Sequence, residues 1–110
     1  MLIKGKKNRE VTFICDLKSD ARDVYLVGDF NQWRISETSR MRRAQDDTFR
    51  FRLTLSPGDH RYKYVVDGRW LADPVADRCE DDGFGAVNSV VHVAPPPESI
   101  FGNTEPTVGL

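Results

Sequence analysis

The sequence lacks an excess of charge of either sign. Its 16 lysines and arginines nearly balance its 17 aspartates and glutamates, which leaves a formal net charge of −1. Proteins that hold nucleic acid by overall charge are strongly basic, so the composition argues against that class. The 110 residues are enough for one domain with one hydrophobic core.

Long hydrophobic runs are missing as well. No stretch approaches the roughly 20 apolar residues that a membrane-spanning helix needs. The N-terminal segment MLIKGKKNRE contains no apolar core of a secretory signal. We therefore predict a cytoplasmic protein with no membrane partner.

Cysteine is scarce, and its two positions do not form a framework. Cys15 falls within an alternating apolar run, and Cys79 lies in an acidic segment. A disulfide has no support in a chain without an export signal. We predict two free thiols.

Helical periodicity is hard to find, whereas apolar and polar residues alternate in several short segments. The clearest are EVTFICDL, DVYLVGDF, TFRFRLTL, HRYKYVVD and AVNSVVHV. Asp67-Gly68 is a strong signal for a two-residue hairpin turn, because both positions need positive φ. Short strands at this spacing predict an all-β fold, an antiparallel β-sandwich of about seven strands. We expect its buried residues to include Phe13, Phe49, Phe51, Tyr64 and Val91.

Proline is rare until residue 94 and frequent after it. The segment APPPESIFGNTEPTVGL holds four of the six prolines, and consecutive prolines favour an extended chain. We predict a domain over residues 1–93 and a tail or linker over 94–110. Ile100 and Phe101 are the side chains best suited to anchor that tail.

No set of residues matches a catalytic or metal-binding pattern. A glycosidase needs two carboxylates fixed across a cleft, and a calcium loop needs regularly spaced oxygen ligands. His60 and His92 lie far apart without a serine or cysteine motif, so we predict ordinary surface histidines. We expect no enzyme activity, catalytic residue, metal or cofactor. The clustered carboxylates predict a solvated acidic loop: Asp73, Asp77, Glu80, Asp81 and Asp82.

Arginines cluster around the predicted third strand. They are Arg40, Arg42, Arg43, Arg50 and Arg52. Neither the aromatic motif of an RNA-binding sheet nor a recognition helix accompanies them. On a sheet with one face in water, alternate residues are exposed. We therefore predict solvent-exposed arginines and no nucleic-acid partner.

Two tryptophans lie at predicted turns among polar neighbours. Trp33 ends the segment GDFNQW, Trp70 follows the Asp67-Gly68 turn, and Lys63 lies on the strand that leads into that turn. Small β-sandwiches often bury a tryptophan. Exposed indoles beside a lysine instead suit a sugar, whose C–H face stacks on the ring while its hydroxyls accept hydrogen bonds. Spacing alone leaves both interpretations open.

Three segments resemble the family 48 carbohydrate-binding modules in order and spacing. They are VYLVGDFNQW, DTFRFRLTLSPGDHRYKYVVDGRWLADP and GFGAVNSVVHV. That family includes the glycogen-binding domain of the AMP-activated protein kinase β subunit and the N-terminal modules of branching enzymes and isoamylases. The resemblance runs from about Glu10 to Val93. It implies an immunoglobulin-like early-set β-sandwich.

The resemblance also implies roles for particular residues. The two tryptophans match indoles that stack on glucose rings, and Lys63 and Asn88 match residues that hydrogen-bond sugar hydroxyls. Phe84 lies where the kinase β subunit has a leucine that reaches into a curved glucan. Ala86 replaces a threonine there, so one hydroxyl contact is lost. The implied carbohydrate-binding residues are Trp33, Lys63, Trp70, Phe84 and Asn88.

These roles imply non-catalytic binding of α-1,4-glucans such as glycogen, maltooligosaccharides or cyclodextrin. The alternative is a protein-interaction or regulatory module beside a glucan-processing enzyme or in a kinase complex, with weak or no sugar binding. A third interpretation is a detached piece of such an enzyme. Retention of both tryptophans, Lys63 and Asn88 favours sugar binding, because a purely structural copy needs none of them.

Overall fold

The computed structural model describes residues 1–5, 9–17 and 20–95. Within them the chain forms nine β-strands and one 3₁₀ turn, Glu37–Ser39. The strands are β1 (Leu2–Lys4), β2 (Glu10–Cys15), β3 (Val24–Gly28), β4 (Arg42–Arg43), β5 (Phe49–Thr54), β6 (Gly58–Val66), β7 (Arg69–Leu71), β8 (Arg78–Asp81) and β9 (Val87–Val93). The predicted all-β fold is confirmed, with more strands than the seven or so expected.

Two antiparallel sheets form the sandwich. The first has the strand order β1-β2-β5-β4, and the second has the order β3-β6-β9-β8 with β7 also paired to β6. Along one edge of β6, β9 pairs with Gly58–Tyr62 and β7 pairs with Tyr64–Val66. Lys63 therefore lies where β9 gives way to β7.

Alternate residues of the strands fill the core between the sheets. Phe13, Phe49, Tyr64 and Val91 are buried as predicted, each at most 4% exposed. Phe51 packs against this core but stays half-buried. The prediction that Phe51 is buried was therefore only partly right.

A buried polar cluster lies in the interior, where the second sheet faces strand β2 of the first sheet. Asp73 is only 1% exposed and accepts hydrogen bonds from the Tyr62 hydroxyl at 2.7 Å and the Tyr64 hydroxyl at 3.1 Å. The Ser89 hydroxyl accepts a hydrogen bond from the Asp73 backbone N–H, and the Met1 amino group lies 3.1 Å from the carboxylate. Burial raises the pKa of both tyrosine hydroxyls well above its usual range, so they act as donors.

The prediction of one solvated acidic loop was therefore wrong. Asp73 is a core residue, and two of the other carboxylates, Glu80 and Asp81, belong to strand β8. The five carboxylates lie close together in the sequence, and we predicted that all of them are exposed because charged residues are seldom buried. Here neighbouring hydroxyl and amine donors offset the cost of desolvating the Asp73 carboxylate.

Both cysteines are free, as predicted. Cys15 is buried and Cys79 is exposed. Desolvation raises the pKa of the Cys15 thiol, which favours its neutral form.

In the part of the chain that the structure describes, no helix is long and apolar enough to cross a membrane. The last strand ends at Val93, the end of the predicted domain. Most of the predicted tail, including Ile100 and Phe101, lies outside the described residues.

Candidate functional site

One cavity of about 330 Å³ brings together all five residues that the sequence implied for sugar binding. A sixth residue, Asp82, joins them in the lining: Trp33, Lys63, Trp70, Asp82, Phe84 and Asn88. They come from the turn after β3, from strands β6, β7 and β9, and from the loop between β8 and β9.

The Asn31 side chain fixes the turn that carries Trp33. Its carboxamide oxygen accepts the Gly28 N–H at 3.0 Å, and its NH₂ donates to the Leu26 carbonyl at 3.0 Å. The Trp33 N–H donates to the Gly28 carbonyl at 2.9 Å, with Trp33 itself at φ 57°. This tight turn folds the indole back toward the sheet. Trp33 is half-buried, which lies between the buried and the exposed interpretations that its spacing left open.

The β6–β7 hairpin places Trp70. Asp67 and Gly68 have φ 48° and 86°, the two positive values that a type I′ turn requires. Trp70 pairs across the hairpin with Val65. Its side chain is 47% exposed, so a large part of the indole is open to a ligand.

Strand alternation directs Lys63 away from the core and toward the cavity. Its neighbours Tyr62 and Tyr64 are fully buried on the other face of β6. The Lys63 Nζ lies 2.8 Å from Asp82 Oδ2, and these side chains are only 11% and 12% exposed. An ammonium group has three donors, so two remain for ligand hydroxyls.

Asp82 also shapes the loop that presents Phe84. Its Oδ1 accepts the Phe84 N–H at 2.7 Å and the Ala86 N–H at 3.2 Å, while its own N–H donates to the Ala86 carbonyl at 2.9 Å. The hydrogen bond from Lys63, together with these backbone donors, lowers the pKa of Asp82. Phe84 lies in the loop between β8 and β9 and is 93% exposed.

Asn88 lies on β9, half-buried beside Lys63. The β6–β9 register ends with Tyr62 opposite Ser89, and its next step puts Lys63 level with Asn88. Ala86 is exposed at the start of this region and carries no hydroxyl. One amide and one amine thus supply the polar donors on this side of the cavity.

Sequence reasoning missed Asp82 because it read the carboxylates as one solvated group. A local signal was present: an aspartate two residues before Phe84, followed by alternating glycines, is typical of an Asx turn. The ion pair with Lys63 depends on which strands are neighbours. Strand order was not readable from the sequence.

Comparison with known proteins identifies the family. The family model for the glycogen recognition site of AMP-activated protein kinase matches residues 11–99. The chain belongs to this family. The resemblance to carbohydrate-binding modules found in the sequence is thereby confirmed.

Relatives of this glycogen recognition domain include longer proteins. The 5′-AMP-activated protein kinase subunit beta-1 of Sus scrofa is 35% identical over 72 residues, covering 66% of this chain and 55% of that protein. Protein PTST homolog 2, chloroplastic, of Arabidopsis thaliana is 33% identical over 66 residues, covering 60% of this chain and 12% of that protein. The chain thus spans about half or less of the length of these relatives.

A solved structure supports the fold of the glycogen recognition domain. The maltogenic amylase from S. marinus superposes with a TM-score of 0.62 at 19% identity, covering 86% of this chain and 15% of the amylase. At this identity the likeness concerns the β-sandwich alone.

The histidines and carboxylates of the glycogen recognition domain form pairs rather than a metal cluster. No group of three or more metal-ligating side chains occurs within residues 1–5, 9–17 and 20–95. His92 is exposed, as predicted, with Nδ1 2.8 Å from Asp59 Oδ1. His60 is half-buried, and its Nε2 lies 2.8 Å from the Ser56 carbonyl.

Proposed function

We propose that this chain is a non-catalytic module that binds α-1,4-glucans, including glycogen, maltooligosaccharides and cyclodextrin. The observation that carries the proposal is the cavity on the second sheet. Two indoles, an exposed phenylalanine and the Lys63 amine converge on it from four separate segments. Membership in the glycogen recognition family supports the same ligand class.

Each part of the cavity has a role in this proposal. The apolar faces of glucose rings stack on the indoles of Trp33 and Trp70, where C–H groups meet the π surface. Sugar hydroxyls accept hydrogen bonds from Lys63 and Asn88. The Asp82 carboxylate both holds the lysine and offers an acceptor at the cavity wall.

Phe84 supplies an apolar tip for the inner surface of a curved glucan chain. A phenylalanine that is 93% exposed gains little from the protein's own core. Covering it with ligand removes apolar surface from water, at about 25 cal/mol per Å². This exposure favours a binding role over the alternative of an interaction module without sugar affinity.

We infer that the module does not hydrolyse or transfer glucan. Among the described residues that line the cavity, one is a carboxylate, Asp82, which is held in an ion pair with Lys63. Glycoside hydrolysis normally uses two carboxyl groups across the scissile bond, one of them with a raised pKa. The pKa of Asp82 is lowered instead.

We also infer a place beside a glucan-processing enzyme or kinase complex, an early-set immunoglobulin-like sandwich and a cytoplasmic location. The kinase subunit among the relatives supports the place in a complex, and the likeness to the amylase supports the sandwich fold. A chloroplast location is the alternative, because one relative carries the word chloroplastic in its name.

The experiment is co-sedimentation with glycogen, followed by calorimetric titration with β-cyclodextrin and maltoheptaose. An exposed site of this kind should bind in roughly the micromolar to millimolar range. Cellohexaose, whose β-linked chain is flat, should bind more weakly. Reducing-sugar release is measured on the same samples, and none is expected.

Phe84→Ala is the site variant, and Val75→Ala is the matched control. Val75 is 56% exposed and does not line the cavity. Phe84→Ala should weaken glucan binding while Val75→Ala leaves it unchanged. Absence of binding to every α-glucan by the folded wild-type protein would overturn the proposal, as would equal binding of cellohexaose.

A further inference from the structure

A second groove, of about 1000 Å³, lies on the first sheet and shares no lining residue with the glucan cavity. Its lining is dominated by one residue type. Among the described residues that line it, Glu37 is the acidic one. The arginines are Arg22, Arg40, Arg42, Arg43, Arg50 and Arg52.

The sheet register concentrates this charge. Arg42 of β4 lies directly opposite Arg50 of β5, and Arg52 lies opposite Thr12 of β2. Like charges directly opposite each other destabilise an antiparallel pair.

Some of the charge is neutralised within the chain. Arg40 contacts Asp23 at 2.5 Å, and Arg50 contacts Asp46 at 3.1 Å. Such pairs at a sheet edge also discourage edge-to-edge aggregation, which is a sufficient structural reason for a few charges.

Other arginines of the groove are not explained in this way. Arg43 lies 3.6 Å from Asp47. It also donates to the Ala21 carbonyl and lies over the Phe49 ring, so it has partners within the chain. Arg52 lies 3.9 Å from Glu10, a loose distance for an ion pair. The guanidinium groups of Arg22 and Arg42 contact no carboxylate in the part of the chain that the structure describes.

We propose that this arginine groove binds an acidic, extended segment of a partner protein while the opposite sheet holds glucan. Two copies of the chain do not fit groove to groove, because such contact would place arginines against arginines. The partners already beside these arginines are carboxylates of aspartate and glutamate, which a guanidinium group binds in a fork geometry.

The apolar lining favours a polypeptide over a sugar or a nucleic acid. Ile3 is 50% exposed at one end of the groove and offers a contact for an apolar side chain. The rings of Phe49 and Phe51 are buried and half-buried, so they provide no platform for glucose rings or bases.

The test uses a fluorescently labelled eight-residue peptide that alternates Glu and Leu, with a Lys-Leu peptide of the same length as control. Binding is followed by fluorescence anisotropy, and the site is mapped by amide chemical shifts. Arg42→Glu is the groove variant. Arg69→Glu is its matched control, an exposed arginine on the second sheet outside both cavities.

We expect saturable binding of the Glu-Leu peptide that weakens as salt rises. Arg42→Glu should weaken it at least tenfold, since charge reversal sets like charges against each other. Arg69→Glu should change it less than twofold. Shifts should map to β4, β5 and Ile3, and saturating β-cyclodextrin should leave peptide affinity unchanged.

Several outcomes would overturn the inference. They are absence of saturable binding at low salt, equal binding of the Lys-Leu peptide, and equal weakening by the two variants. Tighter binding of a single-stranded DNA 8-mer or of inorganic phosphate would assign the groove to phosphate recognition instead. A protein that fails to bind glucan but binds the Glu-Leu peptide would still support the arginine groove, because peptide and glucan binding are measured separately.

Discussion

Replacing Trp70 by alanine should abolish most glucan affinity with little effect on stability. The side chain is 47% exposed, so about 100 Å² of an indole is available, taking a full tryptophan as roughly 200 Å². If a glucose ring covers about half of that area, the removal of apolar surface from water contributes about 1.3 kcal/mol to the binding free energy. Stacking adds about 0.5–1.5 kcal/mol. The loss of about 2–3 kcal/mol corresponds to a Kd about 30- to 150-fold weaker.

Trp33→Ala provides an internal comparison. This indole is half-buried and its residue adopts φ 57°, so truncation should weaken binding and also lower the melting temperature. A fully buried tryptophan would cost about 3–5 kcal/mol of stability. We expect Trp33→Ala to lower the free energy of unfolding by a fraction of that amount. For Trp70→Ala we expect a loss of less than about 1 kcal/mol.

Calorimetry with β-cyclodextrin and thermal melts measure both quantities on the same samples. Val75→Ala is the control for the loss of an exposed apolar side chain. A Trp70→Ala protein that melts about ten degrees lower, the shift expected for a few kcal/mol in a domain of this size, would show a core role. Unchanged affinity in that variant would refute the stacking argument.

Further predictions concern the charges and close contacts around the site. Asp82→Asn keeps an acceptor for the loop but loses the charge beside Lys63, so β-cyclodextrin binding should weaken several-fold. The pKa of Asp82 is held below its ordinary 3.8, so the contribution of its charge to glucan affinity should be constant above pH 3.8. That contribution should be lost as the pH falls through the lowered pKa. In a pH titration of affinity, Asp82→Asn should remove this dependence. Asp73→Ala leaves two buried tyrosine hydroxyls without their carboxylate and should cost about 2–5 kcal/mol in chemical unfolding, against about 1 kcal/mol for Tyr62→Phe. Gly28→Ala should destabilise the turn before Trp33, because its Cβ would collide with neighbouring backbone and ring atoms; a melt equal to wild type would contradict this.

The strand pattern was readable from the sequence because apolar and polar side chains alternate along β5 and along much of β2 and β6. Asp67-Gly68 predicted its turn type for the same local reason. The short strands β1, β4 and β7 have three residues or fewer, too few to show alternation. They more than account for the difference between the nine strands observed and the seven or so predicted.

The sequence predicted which side chains could form the candidate site but not the contacts among them. The family resemblance indicated Trp33, Lys63, Trp70, Phe84 and Asn88, and the structure places them around one cavity. The Asp82–Lys63 pair joins residues 19 positions apart, and its formation depends on strand order. The arginine groove likewise depends on cross-strand register, which single segments do not reveal.

Strand β6 has an implication for how this chain tolerates insertions and deletions. Its residues alternate between Tyr62 and Tyr64 in the core and Lys63 at the cavity. Adding or removing one residue would exchange these faces, burying a lysine and expelling two tyrosines at once. The turn at 44–48 carries no such coupling. Length variation among natural variants and in insertion libraries should therefore accumulate in that turn and be nearly absent from β6.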